Sequence, residues 1–96
     1  MKKKEIINKG FLMAEELTKL GYDPSLYTKK LEMLKDWRAK EVLLEIIDFM
    51  LTDLARARSP KVIKALKEGH AIHYSDFPTY KEMEKFKAEL KKEWGF

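Results

Sequence analysis

The chain has 96 residues, enough for one hydrophobic core, and no cysteine, which excludes a disulfide framework and a thiolate metal site. It is 45% hydrophobic and 38% charged, a balance that excludes a disordered chain and a membrane-embedded one. A net charge of +4 favours acidic partners weakly, and a solvated lysine-rich surface is the plainer account of it.

All but three of the 20 basic residues are lysine, glutamine is absent, and Asn8 is the single asparagine. Abundant Lys and Glu with almost no amide side chains is the composition of thermophile proteins, and an archaeal source is expected from it. The basic start at Lys2–Lys4 is followed by Glu5, Asn8, Lys9, Glu15 and Glu16 rather than by an apolar block. No membrane-spanning stretch follows, and a cytoplasmic location is expected.

The first predicted helix covers about residues 3–20. Ile6, Ile7, Phe11, Met13, Ala14, Leu17 and Leu20 share one face. Gly21 ends it as a left-handed cap. Gly10 interrupts the apolar face at a cost of about 1 kcal/mol relative to Ala, which a close helix crossing would explain. Leu12 falls on the polar side and is a candidate subunit contact.

The second helix is predicted over about 24–37, with Asp23 as N-cap and Pro24 at the first helical position. Leu26, Tyr27, Leu31, Leu34 and Trp37 form its apolar face. No Gly or Pro separates it from the third helix, about 40–58, but the apolar phase reverses between them. A helix–helix corner near Arg38–Lys40 is therefore expected.

The third helix dominates the chain. From Val42 to Ala55 its apolar residues cover about two-thirds of the circumference, roughly 240°. A helix apolar on so many sides needs neighbours on both flanks and is read as the buried centre of the fold. Glu41, Glu45 and Asp48 occupy its polar remainder and read as a solvated face. Asp53 falls inside the apolar arc and is a candidate buried polar group, to be satisfied by Arg56, Arg58 or a tyrosine.

Ser59-Pro60 opens a short fourth helix over 60–68, with Val62, Ile63 and Leu66 inward and Gly69 as its stop. Residues 69–78 form an aromatic ordered loop. Thr79 and Glu82 make a capping box that opens a fifth helix over 79–94, with a stripe of Tyr80, Met83, Phe86, Leu90 and Trp94. Phe11, Tyr27, Trp37, Phe49, Phe86 and Trp94 fall at core spacing. The expected fold is one all-α domain over 1–96, a small irregular bundle of four to five helices.

Three constellations bear on function. Arg56, Arg58, Lys61, Lys64 and Lys67 form a run without an acid, beside the start of the fourth helix. Guanidinium groups suit phosphate, and the Lys2–Lys4 segment adds to the charge, so nucleic-acid or anion binding is one reading. That helix offers no Asn, Gln, Ser or Thr to read base edges, so such binding would be electrostatic. His70, His73 and Asp76 are candidate metal ligands, at a spacing that matches no familiar metal signature.

The third constellation is apolar surface in excess of what one small core hides. It favours a non-catalytic interaction module that self-associates or binds another protein. No nucleophile motif, phosphate loop or metal-protease motif is present in the sequence, so no catalytic residue, cofactor or small-molecule substrate is expected.

Overall fold

The computed structural model describes residues 2–36 and 40–96. Five α-helices and no strand are found among them: α1 (Lys3–Lys19), α2 (Ser25–Met33), α3 (Lys40–Arg56), α4 (Pro60–Glu68) and α5 (Tyr80–Trp94). The fold is all-α, as the apolar periodicity leads one to expect. No helix among the described residues is long and apolar enough to cross a membrane. The chain forms two compact units, Met1–Met50 and Leu51–Phe96, with the division inside α3.

In the first unit, α1 buries Ile6, Ile7, Gly10, Met13, Ala14 and Leu17, the face its sequence marks. Its end is a Schellman motif. Tyr22 N–H donates to Leu17 O (2.9 Å), Gly21 N–H donates to Thr18 O (3.1 Å), and Gly21 takes φ 94°. Leu12 stands half in solvent and Leu20 is also exposed, because the stripe drifts off the buried side over the last turn.

Gly10 is where α1 meets its neighbours. A Cβ there would lie 2.8 Å from Leu31 Cδ1 on α2 and 3.2 Å from Ile47 Cδ1 on α3. Leu31 and Ile47 are almost fully buried, at 0% and 2% exposure. The glycine in the apolar face is thus a close crossing, and its propensity cost of about 1 kcal/mol is offset by burial of two aliphatic side chains worth about 1.5–3 kcal/mol each.

Two expectations for the second helix need correction. Pro24 occupies the N-cap position rather than the first helical one, and α2 starts at Ser25. Asp23 still serves the helix start: its Oδ1 accepts from Ser25 N–H at 3.0 Å. This hydrogen bond, with the nearby Lys29 charge as a lesser contribution, holds the Asp23 carboxyl below the ordinary 3.8. At the other end, α2 stops at Met33 and tightens into a 3-10 turn over Leu34–Asp36 instead of running to residue 37. Leu26 is exposed, since first-turn side chains lean back beyond the start of the helix. Trp37, placed on this helix's apolar face, and the corner proposed near Arg38–Lys40 lie outside the described residues, apart from Lys40, the first residue of α3.

Along α3, Leu43, Ile46, Ile47, Met50, Leu51, Leu54 and Ala55 are buried. At 100° per residue these positions span about half the circumference, narrower than the apolar arc. Phe49, expected in the core, is 61% exposed. It lies on the same flank as half-buried Val42, where the arc passes the edge of what neighbouring helices cover.

In the second unit, α3 ends at Arg56, two residues early. Arg58 N–H donates to Ala55 O and Ser59 N–H to Arg56 O, both at 3.1 Å, tightening the chain into a turn ahead of Pro60. Pro60 opens α4. Ser59 stands at the N-cap position but does not cap: its Oγ donates to Asp76 O at 2.7 Å and pins the far end of the following loop. Val62 and Ala65 are buried, while Ile63 and Leu66 are half-buried. Gly69, at φ 69°, turns the chain, and His70 N–H donates to Ala65 O at 2.9 Å.

The capping box of α5 is complete, with Thr79 Oγ1 accepting from Glu82 N–H (3.3 Å) and Thr79 N–H donating to Glu82 Oε1 (3.4 Å). Of the stripe on α5, Leu90 is buried, Met83, Phe86 and Trp94 are half-buried, and Tyr80, in the first turn, is exposed.

Two expected outcomes follow from these contacts. Gly10→Ala gains about 1 kcal/mol of helix propensity and loses about 1–3 kcal/mol by overpacking against the Leu31 side chain, a net destabilisation of between about 0 and 2 kcal/mol. Placed on Leu31→Ala, the same change becomes stabilising. Denaturant unfolding of the four proteins closes the cycle with a coupling of at least about 1 kcal/mol, and additive effects contradict the crossing. For Asp23, a lowered folded value means the cap contributes fully above pH 3.8 and is lost as pH falls through the folded pKa. Carboxyl chemical shifts followed by NMR titration are expected to give Asp23 a midpoint below 3.8, and a midpoint at or above it contradicts the cap.

Candidate functional site

The basic run divides on folding. In residues 51–96, Arg58 Nη2 donates to Glu93 Oε1 and Oε2 at 2.9 and 2.8 Å, and Nη1 donates to Glu89 Oε2 at 3.4 Å. Glu89 and Glu93 lie one turn apart on α5, so Arg58 neutralises two like charges at once and ties α5 to the turn after α3. Arg56 Nη1 lies 3.5 Å from Asp53 Oδ1, and its guanidinium stacks 4.9 Å above the Phe77 ring. Both guanidinium groups are therefore engaged inside this unit. Asp53, read as buried, is half-buried with its side chain 19% exposed, and Arg56 is a partner. Lys61, Lys64 and Lys67 remain in solvent, in no ion pair among the described residues.

The histidine loop folds back along α4. It is held at one end by the Gly69 turn and at the other by Ser59 Oγ on Asp76 O. A 3-10 turn over Tyr74–Asp76 orders its middle. The result is an open hollow of about 540 Å³ with Lys61 and Lys64 on one side and His70 and His73 on the other. Its acids are turned to local partners. Asp76 Oδ2 accepts from the backbone N–H of His73 at 3.0 Å, and Glu68 Oε2 lies 3.2 Å from His70 Nε2, an ion pair when that imidazole is protonated. Among the described residues no group of three or more His, Asp or Glu side chains is placed to hold a metal ion, so His70, His73 and Asp76 do not converge on one point.

The first unit holds a site of a different kind. A groove of about 350 Å³ runs between α2 with its 3-10 turn and α3. The α2 wall is Tyr27, Lys30, Met33 and Leu34, and the α3 wall is Val42, Glu45, Ile46 and Phe49. Each set recurs every three to four residues, so each is one face of its helix. Leu34 and Ile46 are buried at the floor. Met33 and Phe49, 74% and 61% exposed, stand at the rim. Lys30 and Glu45 are exposed on opposite walls, and neither has a polar partner among the described residues.

Sequence reasoning did not bring these residues together. Phe49 reads as core, Glu45 as solvated face, and Met33 lies off the apolar face of its helix. The available signal was the excess: an apolar arc on α3 wider than neighbours can cover, and a methionine displaced toward the same side. Leu12, the sequence's candidate subunit contact, is exposed on α1 and does not line the groove. No family model, curated protein or solved structure matches the chain.

Arg58 gives a check on how the basic run divides. Arg58→Ala leaves Glu89 and Glu93 repelling one another and is expected to cost about 1 kcal/mol at low salt, a value held down by the partial exposure of all three groups. High salt shrinks the loss. Lys61→Ala is expected to stay within about 0.5 kcal/mol of the parent. Equal losses for the two variants in denaturant unfolding contradict this division.

Proposed function

We propose that this chain acts by association rather than by catalysis, as a small helical interaction module whose protein-binding surface is the groove between α2 and α3. One observation carries the reading. Two of the largest apolar side chains, Met33 and Phe49, stand mostly in solvent along the rim of a groove whose floor, Leu34 and Ile46, is apolar. Covering a Phe side chain is worth about 1.5–3 kcal/mol, and large apolar side chains left exposed together along a groove mark an interaction surface. Methionine and phenylalanine adapt well to a facing surface, one by flexibility and the other by its large flat area.

A nucleic-acid reading rests on less. Its two guanidinium groups, Arg56 and Arg58, are held by Asp53, Phe77, Glu89 and Glu93, and the exposed lysines that remain lie beside Glu68 and Asp76.

Sedimentation velocity over a wide concentration range tests the association. The average mass is expected to rise above the 11.4 kDa of one chain as concentration increases. Phe49→Asp, a change at an exposed helix position, is expected to weaken that rise by at least about tenfold in dissociation constant. A single chain at every concentration, or a Phe49→Asp protein that associates as the parent does, contradicts the proposal.

A further inference from the structure

The hollow beside α4 has the chemistry of an anion site, and we propose that it binds the phosphoryl group of a small molecule through Lys61, Lys64, His70 and His73. The site lies within residues 51–96 and stands independently of the association reading above.

Helix geometry and the loop anchors bring the four residues to one place. Lys61 and Lys64 are three residues apart on α4 and share a face of the helix that Ala65 and Glu68 continue. Lys67, the last lysine of the basic run, does not line the hollow. The following loop folds back because both its ends are fixed. Gly69 turns the chain at φ 69°, and Ser59 Oγ donates to Asp76 O at 2.7 Å. Both histidines of the chain thereby line the same hollow as the two lysines. Its volume of about 540 Å³ falls in the range of about 300–1,000 Å³ usual for small-molecule sites.

Hydrogen bonding favours an anion over a cation. The two carboxylates of the hollow already have partners: Asp76 Oδ2 accepts from His73 N–H at 3.0 Å, and Glu68 Oε2 lies 3.2 Å from His70 Nε2. Neither Lys61 nor Lys64 is in an ion pair among the described residues. An ammonium group offers three donors and no acceptor, so a negatively charged ligand with several oxygen acceptors suits the pair. A phosphoryl group has that form. A nucleic-acid strand fits less well. Asp53, Phe77, Glu89 and Glu93 engage the two arginines and Lys67 lies outside, which leaves one hollow rather than a track along a backbone.

The imidazoles set when the hollow attracts an anion. While both are neutral, Lys61 and Lys64 are balanced by Glu68 and Asp76. Protonating both leaves two positive charges in excess. Lys61 and Lys64 oppose that protonation, Glu68 and Asp76 favour it, and a bound dianion favours it further. Imidazole changes charge between about pH 5 and 8, so anion binding strengthens as pH falls through that range.

NMR titration with inorganic phosphate at about pH 6 and constant ionic strength tests the site. Saturable shifts are expected at the four residues. Lys61→Ala and Lys64→Ala are each expected to weaken binding by about fivefold or more, while Lys67→Ala, which removes the same charge from the same helix, stays within about twofold of the parent. Glu68→Gln removes an acid from the hollow and is expected to tighten binding by about threefold. Sulfate keeps one charge state across the range, and its affinity is expected to fall by about fivefold or more between about pH 6 and pH 8. The doubly substituted His70→Gln, His73→Gln protein is expected to lose that fall. Glycerol phosphate, compared with inorganic phosphate, separates an ester from the free ion, and tighter binding of either supports a phosphoryl site.

Shifts that grow in proportion to phosphate without saturating, or equal weakening by the three lysine variants, show attraction to net charge alone and overturn the proposal. Sulfate affinity that does not change with pH removes the histidines from the site. A single-stranded oligonucleotide that binds more tightly per phosphate than inorganic phosphate, and loses that advantage in Lys67→Ala, overturns the small-molecule ligand in favour of nucleic acid.

Discussion

The missing side chain at Gly10 is the constraint on which the first unit depends. Leu31 from α2 and Ile47 from α3 approach the place a Cβ would occupy to within 2.8 and 3.2 Å. Any larger residue must push one of them away. Because the two approach the same point on α1, Gly10 locates α2 and α3 together, and with them the two walls of the groove. The wall residues of α2, Tyr27, Lys30 and Leu34, are three or four positions from Leu31, and Ile46 adjoins Ile47. Seating one face of each helix on α1 is what turns the adjoining faces toward the groove. A glycine that weakens its own helix by about 1 kcal/mol thus shapes a surface formed by two other helices.

The second unit depends on polar ties in the same way that the first depends on close packing. Arg58 joins the turn after α3 to two carboxylates of α5, and Ser59 hands its hydroxyl to the loop carbonyl of Asp76 instead of to its own helix. The short α4 is left to Pro60 and Gly69 for its start and stop. Charge that looks like a ligand surface in the sequence is thereby divided. The arginines, with planar donors that can satisfy carboxylates and stack on rings, are used internally, and the lysines, strongly hydrated point charges, stay in water.

How much of this was legible depends on the range of the interaction. Features set within one turn of chain were readable: the Thr79–Glu82 capping box, the stops at Gly21 and Gly69, and the bounds of α4. Features set by competition with distant groups were not. Ser59 has the chemistry of an N-cap, and only the position of Asp76 decides otherwise. Phe49 has the spacing of a core residue, and only the limited reach of the surrounding helices leaves it exposed. Gly10 could be read as a crossing, but not as a crossing with Leu31 and Ile47 in particular. The groove was hidden for the same reason. Each wall is a stripe on one helix, and a stripe does not name the stripe it faces. Asp53 stands between these cases, since a partner, Arg56, lies three residues away on its own helix and was foreseeable.

These features converge on a surface that a single chain leaves uncovered: Met33 and Phe49 stand exposed along a groove that Lys30 and Glu45 also line. The most direct measurement is an isotope-filtered nuclear Overhauser experiment on an equimolar mixture of labelled and unlabelled chains. The account expects intermolecular cross-peaks that involve the Met33 methyl group and the Phe49 ring at the rim of the groove. Association without any such cross-peak, or with contacts confined to residues away from the groove, would contradict it.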